Sequence, residues 1–234
     1  MTSIAANLQA VRARIADACT SAGRQVADVH LLAVSKTWPA VDLRAAFACG
    51  QTAFGESYVQ EALPKFDLLA DLPLEWHFIG PLQSNKTRNV AESFAWVHSV
   101  ERLKIAERLS AQRPPHLPPL NICLQVNVSG ETSKSGCAPT ELAALAKAVA
   151  ALPRLRLRGL MAIPEPTDDP QLQRARFAYL RGLRDDLVAS GLVLDTLSMG
   201  MSHDLEAAIM EGANIVRIGT ALFGQRTYST DQTP

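Results

Sequence analysis

Lys36 is the residue in this sequence whose type and position most clearly permit covalent chemistry. It follows the apolar run 30–35 (HLLAVS), and the segment 37–39 (TWP) then interrupts the pattern. An amine is costly to bury, so a lysine at the end of a buried strand either extends into water or is kept partly desolvated. A partly desolvated amine loses its proton more readily and can condense with an aldehyde. The residues around Lys36 leave both interpretations open.

Two later loops carry residue types that bind anions. Gly200 would let the backbone approach a ligand, and Ser202 is predicted to be the last residue before a helix, where free amides point outward. Gly219 and Thr220 offer a second small turn with amides and a hydroxyl group. Taken singly, Ser202 is typical of a helix cap and Gly219 of a chain turn. Together with the lysine, these residues indicate an anion site. Neither loop has a P-loop lysine, which argues against a nucleoside triphosphate.

Arg217 adds a permanent positive charge to the same region of the sequence. It precedes Gly219 by two residues, so strand alternation would point both positions inward. An arginine that faces the mouth of a barrel remains charged. Such a cation beside a pyridine nitrogen would keep that nitrogen unprotonated and would weaken the ring as an electron sink.

The elements that must position these residues follow a regular alternation of strands and helices. The predicted strands are 30–35, 52–55, 76–79, 95–99, 121–128, 157–162, 194–198 and 214–218. The predicted helices are 3–22, which precedes the first strand, and 40–49, 57–70, 84–92, 101–112, 139–151, 170–190 and 203–212.

Helices between consecutive strands require parallel pairing, and eight such units predict an α/β fold of the (β/α)8 TIM-barrel class with an extra N-terminal helix. The second-ranked architecture, a doubly wound open sheet, would need a G-x-G-x-x-G turn, which the sequence lacks. In a barrel, chemistry is found where strands end and loops begin, which is where Lys36 and the two anion-binding loops are predicted to lie. We expect one barrel domain over residues 1–226 and a loose polar tail over 227–234.

Composition and charge limit the classes of function. The 234 residues are 47% hydrophobic and 20% charged, which is typical of a globular protein. Lys plus Arg and Asp plus Glu both number 23, so no net charge attracts nucleic acid or an anionic membrane. The N-terminal segment lacks the apolar core of a signal peptide, and no run approaches the ~18 apolar residues of a membrane span.

The cysteines are read as buried thiols rather than metal ligands. They are widely scattered, with no C-x-x-C pair and no neighbouring histidine ladder: Cys19, Cys49, Cys123 and Cys137. We therefore expect no metal site and a cytoplasmic, reducing environment.

Together, the strand-end lysine, the anion-binding loops and the arginine resemble the alanine-racemase type of pyridoxal-phosphate barrel. More closely, the sequence resembles the pyridoxal-phosphate homeostasis protein family from about residue 5 to residue 226. The matching segments are AVSKT (33–37), FGE (54–56), YVQE (58–61), HFIGPLQSNK (77–86), SKSG (133–136), GLMAIP (159–164), LSMGMS (197–202) and VRIGTALFG (216–224). Motifs of this length in this order are highly specific.

The resemblance implies a role for each matching residue. Lys36 would carry pyridoxal 5′-phosphate as an internal aldimine. Ser202, Gly219 and Thr220 would hold the phosphate group, and Arg217 would lie near the pyridine nitrogen.

The sequence departs from the family pattern at two positions. Ser57 stands where the family usually has the asparagine of Gly-Glu-Asn-Tyr, which shortens a side chain expected near the cofactor. His203 stands where the family usually has the first aspartate of Met-Ser-Asp-Asp. Either His203 makes cofactor affinity depend on pH, or it faces solvent.

The choice between enzyme and carrier depends on a second acid/base. Racemisation needs one on the ring face opposite the lysine, and larger racemases supply a tyrosine with the help of a second domain. Here no second domain follows the predicted barrel, and the tyrosines are predicted beside the barrel mouth (Tyr58), within a helix (Tyr179) and in the tail (Tyr228). We therefore expect a non-catalytic protein that holds pyridoxal phosphate for vitamin B6 homeostasis.

The sequence leaves two alternative functions open. The alternatives are a pyridoxal-phosphate-dependent amino-acid racemase or lyase, and a cofactor-free isomerase that uses Lys36 on a phosphorylated sugar. The carrier would be a monomer that passes its cofactor to apo forms of pyridoxal-phosphate enzymes. Lys65 and Lys134 are conceivable transient acceptors, although exposed helix or loop lysines usually have no special role.

Overall fold

Eight parallel strands pair in sequence order and close into a barrel in the computed structural model, which describes residues 3–131 and 134–225. The strands are β1 His30–Val34, β2 Ala53–Glu56, β3 Glu75–Phe78, β4 Trp96–Val100, β5 Leu120–Gln125, β6 Leu155–Met161, β7 Thr196–Ser198 and β8 Ile215–Ile218. Pairing of β8 with β1, in the register Leu32 with Arg217, completes the ring. The predicted TIM barrel is confirmed, and each predicted strand corresponds to an observed one.

Helices cover the outside of the barrel between successive strands. They are α1 Ile4–Ser21, α2 Ala40–Ala48, α3 Val59–Leu68, α4 Thr87–Ser93, α5 Leu103–Gln112, α6 Pro139–Ala150, α7 Pro170–Ala189, α8 Leu205–Met210 and α9 Thr220–Phe223. A short 3-10 turn, Val26–Asp28, joins α1 to β1. No helix of these described ranges combines the length and apolarity needed to cross a membrane.

The extra N-terminal helix forms for local and tertiary reasons. The Ser3 hydroxyl accepts a hydrogen bond from the Ala6 amide at 3.2 Å, which caps the first turn of α1. One face of the helix is buried, at Leu8, Val11 and Ile15. That face packs against α8, α9 and α2, so α1 braces the part of the barrel where the last strand meets the first.

The strands are apolar on both faces because the barrel has two cores. The larger core lies between the strands and the surrounding helices, and a smaller cluster lies within the barrel. The inner cluster contains Leu32, Trp96, Cys123, Met161 and Ile215. The predicted tail, 227–234, lies outside the described residues.

Candidate functional site

Lys36 lies two residues beyond β1, at the rim formed by the carboxyl ends of the strands, and is half-buried. Thr37 has a φ of 70°, a left-handed conformation that costs a non-glycine residue about 1–2 kcal/mol. The Thr37 amide donates a hydrogen bond to Glu61 Oε2 at 3.1 Å. The turn after Lys36 is therefore held in an uncommon conformation by a carboxylate from α3.

A buried ion pair contacts the residue that precedes Lys36. Lys65 Nζ lies 2.7 Å from Glu56 Oε1 and donates to the Ser35 carbonyl oxygen at 2.9 Å. The Ser35 hydroxyl donates to the same Glu56 oxygen at 2.7 Å. Burial raises the pKa of the Glu56 carboxyl, and the neighbouring Lys65 and Ser35 oppose that shift. The interpretation of Lys65 as an exposed lysine is wrong, because α3 packs this side chain over the ends of β1 and β2.

The loops after β7 and β8 meet, but Ser202 does not immediately precede α8 as predicted. The Asp204 carboxylate accepts a hydrogen bond from the Met201 amide at 2.6 Å and closes a turn, so the helix begins only at Leu205. The Ser202 hydroxyl instead accepts a long hydrogen bond, 3.4 Å, from the Ala221 amide. Ser202 thus links the two loops rather than capping a helix.

Gly200 allows close packing against α8, and Gly219 lies in contact with the end of β1. Gly200 has a φ of 93°, and a Cβ there would lie 2.6 Å from the Ala208 Cβ. A Cβ on Gly219 would lie 3.4 Å from both the Cβ and the carbonyl oxygen of Val34. The turn after β8 therefore lies against the end of β1, two residues before Lys36.

Arg217 is buried, and its guanidinium donates to oxygens of two neighbouring strand ends. Its Nη1 donates to the Ser198 carbonyl oxygen at 2.5 Å and to the Ser198 hydroxyl oxygen at 2.9 Å, and Nη2 donates to the Ala162 carbonyl oxygen at 2.9 Å. Burial lowers the pKa of the guanidinium to about 10, which still leaves it protonated at neutral pH. Its Nε–H and one Nη2–H donate to no acceptor in the described parts of the chain.

A polar chain that we did not predict continues from Arg217 into the barrel. The Ser198 hydroxyl lies 2.7 Å from His98 Nδ1, and His98 Nε2 lies 2.9 Å from His77 Nδ1. His77 Nε2 lies 2.8 Å from Glu75 Oε1 at the opposite end of the barrel. Burial lowers the pKa of His77 and lowers that of His98 well below the usual value. The available signal was a histidine within each of two otherwise apolar predicted strands.

The two buried histidines should make the barrel less stable in mild acid. Their pKa values in the folded protein lie below 6.5, so the unfolded chain binds more protons as pH falls. Stability should therefore decrease below about pH 6.5, by up to about 1.4 kcal/mol per pH unit for each histidine. Urea unfolding between pH 8 and pH 5 measures how the free energy of unfolding depends on pH. His116→Gln, which changes an exposed histidine, is the control and should leave that dependence unchanged. An unchanged free energy of unfolding across this range would contradict the prediction.

Ser57 occupies the part of the rim that follows β2. It is buried, and its backbone passes so close to Gly80 that a Cβ on that glycine would lie 2.2 Å from the Ser57 carbonyl oxygen. Tyr58 and Tyr179 are about half exposed, at 50% and 46%, and Tyr228 lies outside the described residues. His203 is exposed in the turn before α8.

The strand order explains which predicted site residues come together. Lys36 follows β1, which pairs with β8, and β8 carries Arg217 and continues into Gly219 and Thr220. Ser202 reaches this turn from the β7 side. Ser57 follows β2, the other neighbour of β1. The arrangement combines an amine, a buried cation and two loops with hydroxyl and amide donors on one rim.

The family comparison first assigns the class of protein. The family model described as "Alanine racemase, N-terminal domain" matches residues 6–227. The alanine racemase structure from Corynebacterium glutamicum shares the fold, with a TM-score of 0.69 and 17% identity over 94% of this chain and 62% of that one. The barrel is therefore of the alanine-racemase type.

More similar relatives define the family. The pyridoxal phosphate homeostasis protein of Pseudomonas aeruginosa is 68% identical over 97% of this chain and 98% of its own length. The Escherichia coli K12 protein of that name is 52% identical over 98% and 99%. The structure of PipY from Synechococcus elongatus with PLP bound has a TM-score of 0.84 and 39% identity, covering 95% of this chain and all of that one. The chain belongs to the pyridoxal phosphate homeostasis protein family.

Proposed function

We propose that this protein binds pyridoxal 5′-phosphate in the cytoplasm, holds it as a Schiff base on Lys36 and contributes to vitamin B6 homeostasis without catalysing a reaction of its own. The observation that carries the proposal is the rim geometry, in which the Lys36 segment, the buried Arg217 and the loops after β7 and β8 are neighbours. The family membership supports the same cofactor, since a relative with 39% identity has been solved with PLP bound.

The residues present fit each chemical part of this cofactor. The phosphate group needs several donors, and the amides of Ser202, His203 and Thr220 donate to no acceptor within the described residues. The hydroxyls of Ser202 and Thr220 add two further donors beside these amides. The pyridine nitrogen needs one donor, which Arg217 would supply through an N–H that has no acceptor in the described residues. The aldehyde needs an amine, and Lys36 is the lysine on the neighbouring strand end.

When bound, the cofactor supplies an aldehyde that reacts with an amine and a ring that withdraws electrons. The protein's own residues act mainly by holding and orienting. Glu61 holds the turn after Lys36, while Lys65 and Glu56 hold the peptide before it. Arg217 remains a cation at neutral pH, so it could donate a hydrogen bond to the ring nitrogen without giving up its proton. An unprotonated ring nitrogen would weaken the ring as an electron sink without abolishing that capacity.

The position of the tyrosines supports a carrier. Tyr58 is the residue before α3 and is half exposed, while Tyr179 lies on the outer helix α7. Neither is held by a hydrogen bond from its hydroxyl within the described residues. Four unpaired cysteines in the same residues are consistent with a reducing compartment. We propose apo forms of pyridoxal-phosphate enzymes as recipients and a monomeric carrier.

Solvent deuterium exchange at the α-carbon tests the non-catalytic part of the proposal. The loaded protein is incubated in deuterium oxide with a panel of amino acids, and exchange is followed by proton NMR. Exchange should stay far below the roughly 1–1,000 per second typical of enzymes. Exchange within that range, lost in Lys36→Ala, would instead establish a racemase or lyase.

The double substitution Ser202→Ala, Thr220→Ala should weaken phosphate retention while leaving the fold intact. Each hydroxyl is expected to contribute about 1 kcal/mol, so cofactor dissociation should accelerate by roughly tenfold or more. Release is measured by trapping free pyridoxal phosphate, and thermal unfolding of the cofactor-free protein checks the fold. Ser190→Ala, at the exposed end of α7, is the matched control. An unchanged release rate would place the phosphate elsewhere.

A further inference from the structure

The chain of hydrogen bonds inside the barrel has a defined direction. An ionised Glu75 only accepts, so the hydrogen on His77 must lie on Nε2, and Nδ1 of a neutral His77 is then an acceptor. His98 must therefore carry its hydrogen on Nε2 and accept at Nδ1 from the Ser198 hydroxyl. The Ser198 oxygen in turn accepts from Arg217 Nη1. Each group in the chain therefore donates to the next, from the Arg217 cation at the candidate site to the Glu75 carboxylate at the opposite end of the barrel.

The burial of the two histidines supports this assignment of the hydrogen positions. His77 and His98 are 3% and 0% exposed, and desolvation lowers the pKa of both, so both are neutral at pH 7. Glu75 is half exposed, and its hydrogen bond with His77 lowers the pKa of its carboxyl, so it is ionised. Each ring nitrogen in the chain thus has one fixed role. Reversing any one hydrogen bond would require the others to reverse as well.

The chain reaches the surface on the side of the barrel away from Lys36. Glu75 begins β3, and with His77 it lines a cavity of about 790 Å³ at the amino ends of the strands. At the other end, the Ser198 and Ala162 oxygens occupy both Nη atoms of Arg217. The guanidinium plane is therefore set by Ser198 of β7 and by Ala162, the residue after β6, and Nε–H and one Nη2–H are the donors that have no acceptor in the described residues.

We propose that His98 and His77 are positioning residues for the cofactor site, which act through Ser198 to orient the guanidinium of Arg217, with Glu75 fixing the direction of the chain. A TIM-barrel interior is usually filled with branched apolar side chains, and such residues at these two positions would leave Ser198 without an acceptor. The inference rests on the proposed function, because Arg217 positions the ring nitrogen of the bound cofactor.

The first test needs no cofactor. Nitrogen-15 NMR of histidine-labelled, cofactor-free protein at pH 7.5 should show His77 and His98 as neutral rings protonated at Nε2. Ser198→Ala should shift the Nδ1 resonance of His98 and leave the exposed His116 unchanged. A ring protonated at Nδ1, or a doubly protonated ring, at either buried histidine would overturn the proposal.

The second test uses the loaded protein and a double-mutant cycle. His98→Gln should raise the cofactor dissociation rate about tenfold and shift the absorbance maximum of the bound ring, whereas His116→Gln should do neither. In an Arg217→Gln background, His98→Gln should change neither quantity further, because its effect passes through Arg217. Ser198→Ala is the smaller substitution that repeats the cycle if His98→Gln does not fold.

The outcomes separate this inference from the proposed function. Additive effects of His98→Gln and Arg217→Gln, or an unchanged spectrum in His98→Gln, would reduce the histidines to packing residues and overturn the inference. A wild-type protein that retains no pyridoxal phosphate would overturn the proposed function and, with it, the role in orienting Arg217 toward a cofactor. The tautomers measured without cofactor would still decide whether the directed chain exists.

Discussion

Lys36→Ala is expected to eliminate covalent attachment of pyridoxal 5′-phosphate. In the wild-type protein, borohydride reduction should fix one cofactor per chain, and peptide mass mapping should place it on the peptide that contains Lys36. The Lys36→Ala protein should show no adduct and should lose the yellow colour of the loaded protein. The reason is chemical, since an amine is needed to form the bond and the neighbouring amine, that of Lys65, is held by Glu56 and by the Ser35 carbonyl oxygen.

Two further lysines provide the controls for this experiment. Lys134→Ala changes a half-buried lysine in the loop between β5 and α6, and it should leave the adduct in place. Lys65 is held by Glu56 and by the Ser35 carbonyl oxygen, so it should remain unmodified in the wild-type protein. A wild-type adduct mapped to Lys65 or Lys134 would contradict the assignment of Lys36. A colourless wild-type protein in the presence of excess cofactor would contradict binding itself.

Lys65→Met should produce the largest loss of stability among the substitutions considered. The Glu56 side chain is fully buried, and its second oxygen, Oε2, has no hydrogen-bond partner in the described residues. Removing Lys65 leaves a buried carboxylate without its counter-ion, which typically costs about 3–5 kcal/mol. Urea unfolding at pH 7.5 measures the change. The Ser35 carbonyl oxygen also loses a donor, so the segment that leads to Lys36 should become less ordered.

The matched control breaks an ion pair at the surface. Arg44 and Asp71 are 45% and 61% exposed, and Arg44→Met should change stability far less than Lys65→Met because solvent screens exposed pairs. The double substitution Lys65→Met, Glu56→Leu should recover much of the lost stability, since an apolar pair avoids the uncompensated charge. Equal effects of Lys65→Met and Arg44→Met would indicate that Glu56 is protonated in the folded protein.

The number and order of strands could be read from the sequence because parallel strands buried on both faces appear as short apolar runs. The position of Lys36 followed from the end of the first such run. Ser202 was harder to place, since the carboxylate of Asp204 can either cap a helix or close a turn, and here it closes a turn. The contact of Ser202 with Ala221 depends on how the last two loops pack, which no local pattern encodes.

The ion pair and the histidines were not predicted, because their contacts arise only when the helices and strands pack together. Glu56 reads as an ordinary polar strand end, and its partner Lys65 reads as a solvent-facing helix residue. Their ion pair exists because α3 folds back over the ends of β1 and β2. The histidines of β3 and β4 likewise meet only because neighbouring strands place His77 and His98 side by side inside the barrel. Even so, a histidine within an apolar predicted strand is a sequence signal that indicates a buried polar contact.

The near-contact between Gly80 and Ser57 has a consequence for how this rim tolerates sequence change. Because the backbone after β3 rests directly on the carbonyl group of residue 57, the path of the chain there is set by the glycine and not by the side chain opposite it. Serine or asparagine at position 57 can therefore be exchanged on an unchanged scaffold. We expect substitution at this one position to change the length of a polar side chain at the rim without changing the fold that presents it.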